Sequence, residues 1–305
     1  MKLLFAGNYY LDEKQIEELK QLNIEIVIME DEQGIIPTES SSIDMIVCNW
    51  LFTNHNIEQF TNLKYIQLLS AGMDRVPIEY IREHNIVINN ARGVYSIPMA
   101  EYAVMGVLEL FKNSKQFIQN QTKSKWIKNR DIDELSDKTV CILGVGSVGH
   151  EVAKRFSVFC DKIIGVDVVD RNDKYVDEYY YIGDLDKAVE NSDVIVITLP
   201  LLDSTKYLID KELIDKMQKR TIVVNLSRGQ VIKENDLIEA LRKGNIRGAV
   251  LDVFEKEPLD INNPLWKMHN VIVTPHNSFE STLNKKRMWE LLTDNMKRFL
   301  ENGRQ

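Results

Sequence analysis

Short apolar, β-branched runs alternate with stretches of helical periodicity along most of this chain. In the first third the runs fall at residues 3–6, 24–29, 43–48, 65–69 and 86–88. Helical patterns separate them; in 12–22, for example, Ile16, Leu19 and Leu22 share one face. Pro98 suits a first helical position and opens a long helical stretch, 99–119. Residues 119–138 are polar, carry Trp126 as their only aromatic residue, and read as an arm or linker. A second alternating set follows, with strands predicted at 139–143, 162–167, 193–199, 221–225, 246–253 and 271–274. Helices are predicted between them at 148–159, 185–191, 211–218 and 234–243, with a last helix at 281–300. Strand-then-helix alternation of this kind predicts an α/β fold of two doubly wound parallel-sheet domains. The predicted division is residues 1–97 plus 278–305 for one domain and 98–277 for the other, with ligands in a cleft between them at the carboxyl ends of the strands.

Composition narrows the function classes. The chain has 305 residues, 44% of them apolar, enough for two domains with sizeable cores. The net charge is −8, from 38 basic and 46 acidic residues with no basic block, which argues against nucleic acid as the main partner. The longest apolar runs, such as 194–202, are too short to cross a bilayer. Met1-Lys2 leads directly into a strand, not into a signal-peptide pattern. A soluble cytoplasmic protein with no membrane partner is the expectation. Cys48, Cys141 and Cys160 are scattered, and reduced core packing accounts for them. The five histidines offer no helical pair with a third ligand nearby, so no metal site is expected. His150, just past Gly149, reads as a solvated surface residue.

The most informative stretch is Thr139 to Asp167. An apolar run ends in Gly144-Val145-Gly146-Ser147-Val148-Gly149, a helical pattern follows, and a second apolar run closes on Asp167. Gly144 permits a tight reversal, Gly146 lets backbone approach a pyrophosphate, and Gly149 lets the helix pack on the strand. The helix N-terminus offers N–H groups and partial positive charge to phosphates. Asp167 is placed to accept both adenosine ribose hydroxyls, which points to NAD; Arg171, close by, leaves NADP possible.

Three further motifs sit just past apolar strands: Asn225-Leu226-Ser227-Arg228-Gly229, then Asp252-Val253-Phe254-Glu255-Lys256-Glu257-Pro258, then Thr274-Pro275-His276. With the glycine turn before them, and with Ser70-Ala71-Gly72-Met73-Asp74 upstream, this order resembles the D-2-hydroxyacid dehydrogenase family. The likeness is nearest to glyoxylate and hydroxypyruvate reductases. The resemblance implies Arg228, Glu257 and His276 as the catalytic set, Glu255 being the competitor for Glu257. It implies backbone donors to pyrophosphate at Ser147 and Val148, with Leu199 and Pro200 near the adenosine. Leu226 and Ser227 would lie beside the nicotinamide, Asp252 on its carboxamide, and Arg228 and His276 next to cofactor and substrate alike. Ala71 and Gly72 would hold the substrate carboxylate. It also implies a homodimer through the nucleotide-binding domain, with the 119–138 arm reaching across.

These residue types suit reduction of a 2-keto acid, which takes a hydride at carbon and a proton at oxygen. Histidine, ordinarily near-neutral in pKa, can give and retrieve that proton. A carboxylate on its other nitrogen orients the ring, and arginine matches a carboxylate with a planar fork of donors. After the histidine, Asn277-Ser278-Phe279 stand where many relatives carry small residues. Arg75 and Arg92 lie close to the presumed cleft loops, either as solvated cations or as contacts to a second anionic group. Trp50 and Phe52 read as pocket wall or as core. A nicotinamide-sensing binding protein, or a phosphoglycerate dehydrogenase without a regulatory domain, remains the alternative reading.

Overall fold

The structure, a computed structural model, describes residues 1–7, 9–130 and 132–302, the last by its backbone alone. Asp131 of the expected arm and residues 303–305 of the expected first domain lie outside the described residues. The chain divides into two compact units, Met1–Tyr95 with Ser281–Gln305, and Ser96–Glu280.

In chain order the elements of the first unit are β1 (Lys2–Ala6), α1 (Glu13–Gln21), β2 (Glu25–Met29), β3 (Met45–Cys48), α2 (Leu51–Asn54), β4 (Tyr65–Leu68), α3 (Ile78–Glu83) and β5 (Val87–Asn89). The second unit follows with α4 (Ser96–Phe111), α5 (Ser114–Thr122), β6 (Thr139–Leu143), α6 (Ser147–Phe156), β7 (Lys162–Asp167), β8 (Glu178–Tyr181) and α7 (Leu185–Glu190). It continues through β9 (Val194–Ile197), α8 (Lys211–Ile214), β10 (Ile222–Asn225), α9 (Glu234–Lys243), β11 (Gly248–Leu251) and β12 (Val271–Val273). Last comes α10 (Asn284–Asn302), which belongs to the first unit.

Both sheets are wholly parallel. The first has the order β2-β1-β3-β4-β5 and the second β12-β11-β10-β9-β6-β7-β8. Renumbered from its own first strand, the second is the 3-2-1-4-5-6 dinucleotide-binding order with one strand added. Alternation explains why these strands read as unbroken apolar runs. Along β6, Cys141 and Leu143 enter one core while Val140 and Ile142 enter the other, and β9 and β10 repeat the pattern. In the first unit Leu4 and Ala6 face one core, and Leu3 and Phe5 face another that α10 closes with Leu292 and Met296. Trp289 Nε1 donates to Glu18 and Asn295 Nδ2 to Gln67 Oε1, which pins α10 to α1 and to β4.

Two sequence expectations need correction. The single helix over 99–119 is two: α4 starts at Ser96, with Pro98 inside its first turn, and the chain breaks at Asn113, which adopts a left-handed φ of 51°. The edge strand β8, with the sequence Glu-Tyr-Tyr-Tyr, was not expected. His150 is on the surface as expected, its side chain 41% exposed, with its Nδ1 2.5 Å from the carboxylate of Asp173.

Candidate active site

The nucleotide turn follows β6. Gly144 has a φ of 94°, a conformation that L side chains resist, and its amide donates to Val166 O at 2.8 Å. A Cβ on Gly149 would lie 2.1 Å from Gly144 O, so only glycine lets α6 rest against the turn. A Cβ on Gly146, the residue that precedes α6, would meet nothing within 4 Å. The open space therefore lies at a helix N-terminus, where a phosphate is favoured, and the residues present fit a dinucleotide. Thr198, just past β9, donates its hydroxyl to Gly144 O at 2.5 Å, with Leu199 and Pro200 next in the chain. β6 and β9 are the neighbours at which the strand order reverses, which is where such sheets bind ligands.

Asp167 closes β7 and is buried. Its Oδ2 accepts from the Val145 amide at 3.0 Å and lies 3.4 Å from Arg171 Nε, while Oδ1 accepts from the Val168 amide at 2.7 Å. The carboxylate thus ties the glycine turn to the end of the neighbouring strand, a role that the spacing alone did not show.

The three expected catalytic residues follow β10, β11 and β12, which are adjacent in the sheet. His276 Nδ1 lies 2.8 Å from Glu257 Oε2. The other oxygen of Glu257 accepts from the Phe254 amide at 3.1 Å. Burial pushes the Glu257 carboxyl up, but the hydrogen bonds from His276 and Phe254 and the charge of the histidine outweigh it. Its pKa lies below the ordinary carboxylate value. Glu255 is engaged elsewhere: its carboxylate accepts from the Glu234 amide at 2.7 Å, at the start of α9. Glu257 is therefore the acid that meets His276.

Arg228 leaves β10 through a turn that Asn225 builds. Asn225 Oδ1 accepts from the Ser227 amide and hydroxyl at 3.1 and 3.0 Å, and its Nδ2 donates to Arg228 O at 3.0 Å. Leu226 and Ser227 are buried within that turn. A Cβ on Gly229 would fall 1.9 Å from the backbone carbon of Phe254. Glycine thus brings the Arg228 turn into backbone contact with the loop that carries Glu257.

The histidine loop is fixed by a network that the sequence motifs did not reveal. His276 is a non-glycine residue with a φ of 53°, a strained conformation that persists only where its surroundings impose it. Asp252 imposes it. Its main-chain oxygen accepts the His276 amide at 2.8 Å, and its fully buried carboxylate accepts from Thr274 Oγ1, Asn277 N and Ser278 N at 2.7–2.9 Å. Phe279 meets the imidazole edge-on, with centroids 5.9 Å apart. The Asp252 carboxylate thus holds the His276 turn, a role that the motif alone did not show. A buried aspartate opposite two consecutive amides was the available signal, but those amides lie on another strand's loop.

In the first unit Ala71 and Gly72 lie in the loop after β4. Asn90 Nδ2 donates to Ala71 O at 2.7 Å and Ser70 Oγ to Gly72 O at 3.0 Å, so the loop is held through its carbonyls. Phe52 packs edge-on to Phe60 against the core, whereas Trp50 is exposed with the Arg75 guanidinium over its ring. Among the described residues no three His, Cys, Asp or Glu side chains are grouped as metal ligands, and no helix is long and apolar enough to cross a membrane.

The model of the D-isomer specific 2-hydroxyacid dehydrogenase NAD binding domain matches residues 104–278, more than half of the chain. The chain belongs to the D-isomer specific 2-hydroxyacid dehydrogenase family. It is 34% identical over 241 residues to a glyoxylate reductase of Thermofilum pendens, which covers 77% of this chain and 71% of that one. It is 33% identical over 250 residues to a D-3-phosphoglycerate dehydrogenase of Methanocaldococcus jannaschii, covering 81% of this chain but only 48% of that relative. A solved structure from Aeromonas salmonicida, a D-isomer specific 2-hydroxyacid dehydrogenase family protein, superposes with a TM-score of 0.84 at 26% identity, covering 99% of this chain and 96% of that one. This D-2-hydroxyacid dehydrogenase is thus an oxidoreductase, and its second unit carries the NAD-binding domain.

Proposed function

We propose that the protein reduces a small 2-keto acid of the glyoxylate or hydroxypyruvate kind to the D-2-hydroxy acid, with NADH as the preferred reductant. The observation that carries this reading is the His276–Glu257 pair at the carboxyl end of the nucleotide-binding sheet. Dihydronicotinamide, when bound, supplies a hydride. Arg228 takes the substrate carboxylate and polarises the keto oxygen with its fork of donors. Glu257 accepts a hydrogen bond from Nδ1–H of His276 and fixes the ring, leaving Nε2 to deliver a proton to the developing alkoxide and to retrieve it in reverse. Ser147, Val148 and the glycine turn hold the pyrophosphate at the start of α6. Asp167 favours a free 2′-hydroxyl over a 2′-phosphate, although the nearby Arg171 offsets part of its charge.

A homodimer through the second unit completes this reading. Val104 of α4 and Val158 and Phe159 beyond α6 line an open groove together with the charged Glu101, Lys154 and Arg155, Met105 of α4 is exposed, and Trp126 is 94% exposed on the arm. A monomeric mass by light scattering at micromolar concentration would overturn the dimer.

Paired variants test the chemistry. Arg228→Lys keeps the charge and loses the fork; loss of one charge-assisted hydrogen bond costs about 2–3 kcal/mol, or roughly a 30- to 150-fold fall in kcat/KM for the keto acid. His276→Gln removes the proton source and depresses kcat with substrate KM largely retained. If Arg228→Lys weakens NADH and keto acid equally, or leaves both untouched, Arg228 is structural and the assignment fails.

A further inference from the structure

His150 and Asp173 meet beside the nucleotide turn, and the chemistry above gives neither a part. His150 follows Gly149 in the first turn of α6. Its Nδ1 lies 2.5 Å from Asp173 Oδ2, while Asp173 Oδ1 accepts from the Tyr175 amide at 3.0 Å. The Asp173 side chain is only 7% exposed, and a carboxylate out of water is costly unless its oxygens are met. The Tyr175 ring packs 5.6 Å from the imidazole, centroid to centroid. The Asp173 amide donates to the Tyr179 hydroxyl of β8 at 3.3 Å, and its carbonyl accepts from the Val176 amide at 3.0 Å. Residue 173 is thereby fastened to α6 through its side chain and to β8 through its backbone.

The other end of the same loop is Asp167, at the close of β7. Its carboxylate holds the Val168 amide through Oδ1, and the Val145 amide and Arg171 through Oδ2. Between these two anchors the chain turns at Asn172, which has a left-handed φ of 47° and donates its amide to Asp170 Oδ1 at 2.7 Å. Arg171 sits on this short tether. Its side chain is 43% exposed, and among the described residues Asp167 is its one carboxylate partner. A loop pinned at both ends fixes where that guanidinium lies, against the acid assigned to the adenosine ribose. A 2′-phosphate would bring roughly two negative charges up to Asp167. It would need extra room and a cation turned outward to meet it.

We propose that the His150–Asp173 pair is a cofactor-specificity device, which pins the 168–172 loop so that Arg171 stays on Asp167 and a 2′-phosphate finds neither room nor a partner. The proposal rests on the NADH preference argued above and adds the residues that enforce it. His150 and Asp173 are positioning residues; they act through the loop and through Arg171.

The test is fluorescence titration of the full chain with NADH and with NADPH, read as the ratio of the two Kd values. The wild type is expected to bind NADH more tightly. In His150→Ala the NADPH-to-NADH Kd ratio falls roughly 5- to 30-fold, chiefly because the freed Arg171 reaches the phosphate. His150→Asn puts an amide donor where Nδ1 stands and keeps the wild-type ratio. The gain disappears in the double variant His150→Ala/Arg171→Ala. A merely structural pair would weaken both dinucleotides together and leave the ratio unmoved. An unchanged or raised ratio in His150→Ala, an Asn variant that matches it, or a gain that survives loss of Arg171 overturns the proposal and leaves the NADH preference standing. A wild type that binds NADPH more tightly sinks that preference, and the proposal with it.

Discussion

Replacing either of two glycines in the nucleotide turn by alanine adds the same methyl group, and the structure predicts opposite consequences. At Gly149 the new Cβ would lie 2.1 Å from Gly144 O and 3.2 Å from Ile142 Cγ2, so α6 and the turn must part. Overpacking of this kind costs about 1–3 kcal/mol, and for a unit of this size each kcal/mol lowers Tm by about 2–4 °C. Gly149→Ala is therefore expected to melt about 2–12 °C below the wild type without cofactor. At Gly146 the Cβ meets no protein atom within 4 Å, and its φ of −81° and ψ of −156° suit any residue. Gly146→Ala should melt within about 4 °C of the wild type, since a helix N-cap tolerates the change at a cost below about 1 kcal/mol. Its methyl group instead enters the space assigned to the pyrophosphate. Losing one charge-assisted hydrogen bond there costs about 1.5–3 kcal/mol, which raises the NADH Kd roughly 10- to 150-fold. Differential scanning fluorimetry and NADH fluorescence titration measure both quantities. Wild-type NADH affinity in Gly146→Ala, or an unchanged Tm in Gly149→Ala, would refute the reasoning.

Glu257→Gln should cut kcat roughly 10- to 150-fold by releasing the His276 ring, with less effect on NADH affinity; an equal loss in both would make Glu257 structural. Because folding lowers the Glu257 pKa, its ionised form stabilises the protein above the ordinary value of 4.5, and that contribution is lost as pH falls through the lowered value. The Tm difference between wild type and Glu257→Gln should therefore shrink below about pH 4.5, and it should be small throughout because the carboxylate is partly exposed. Burial pushes the Cys141 thiol to about 12 and the Cys160 thiol to about 11, with Cys48 also well above 9.0, so iodoacetamide at pH 8 should label none of them rapidly in the native protein. Fast stoichiometric labelling before unfolding would contradict that packing.

What the sequence made legible was whatever local geometry determines. Thr139–Leu143 and Lys162–Asp167 have the predicted bounds, because strands covered on both faces are apolar throughout and a glycine turn ends the first of them. The last helix was legible from its own periodicity, and its Leu292 and Met296 enter a core with Leu3 and Phe5 of β1. Other features depend on partners distant in the chain. The break at Asn113 is one left-handed residue inside a continuous helical pattern. β8 carries three tyrosines at an edge, and its pairing with β7 makes it a strand without apolar alternation. Glu255 and Glu257 look alike in the motif, and only the start of α9 beside one and His276 beside the other separates them. Asp252 belongs to a recognisable motif, but its hold on the His276 turn exists only once β11 and β12 are paired.

The central claim is that this chain delivers a hydride and a proton to a 2-keto acid on one face. The most direct measurement is incubation of the wild type with NADH and hydroxypyruvate, followed by chiral analysis of the product. D-glycerate, formed in step with NADH consumption and abolished by His276→Gln, is the predicted result. Absence of turnover, L-glycerate, or undiminished formation of D-glycerate by His276→Gln would contradict the account.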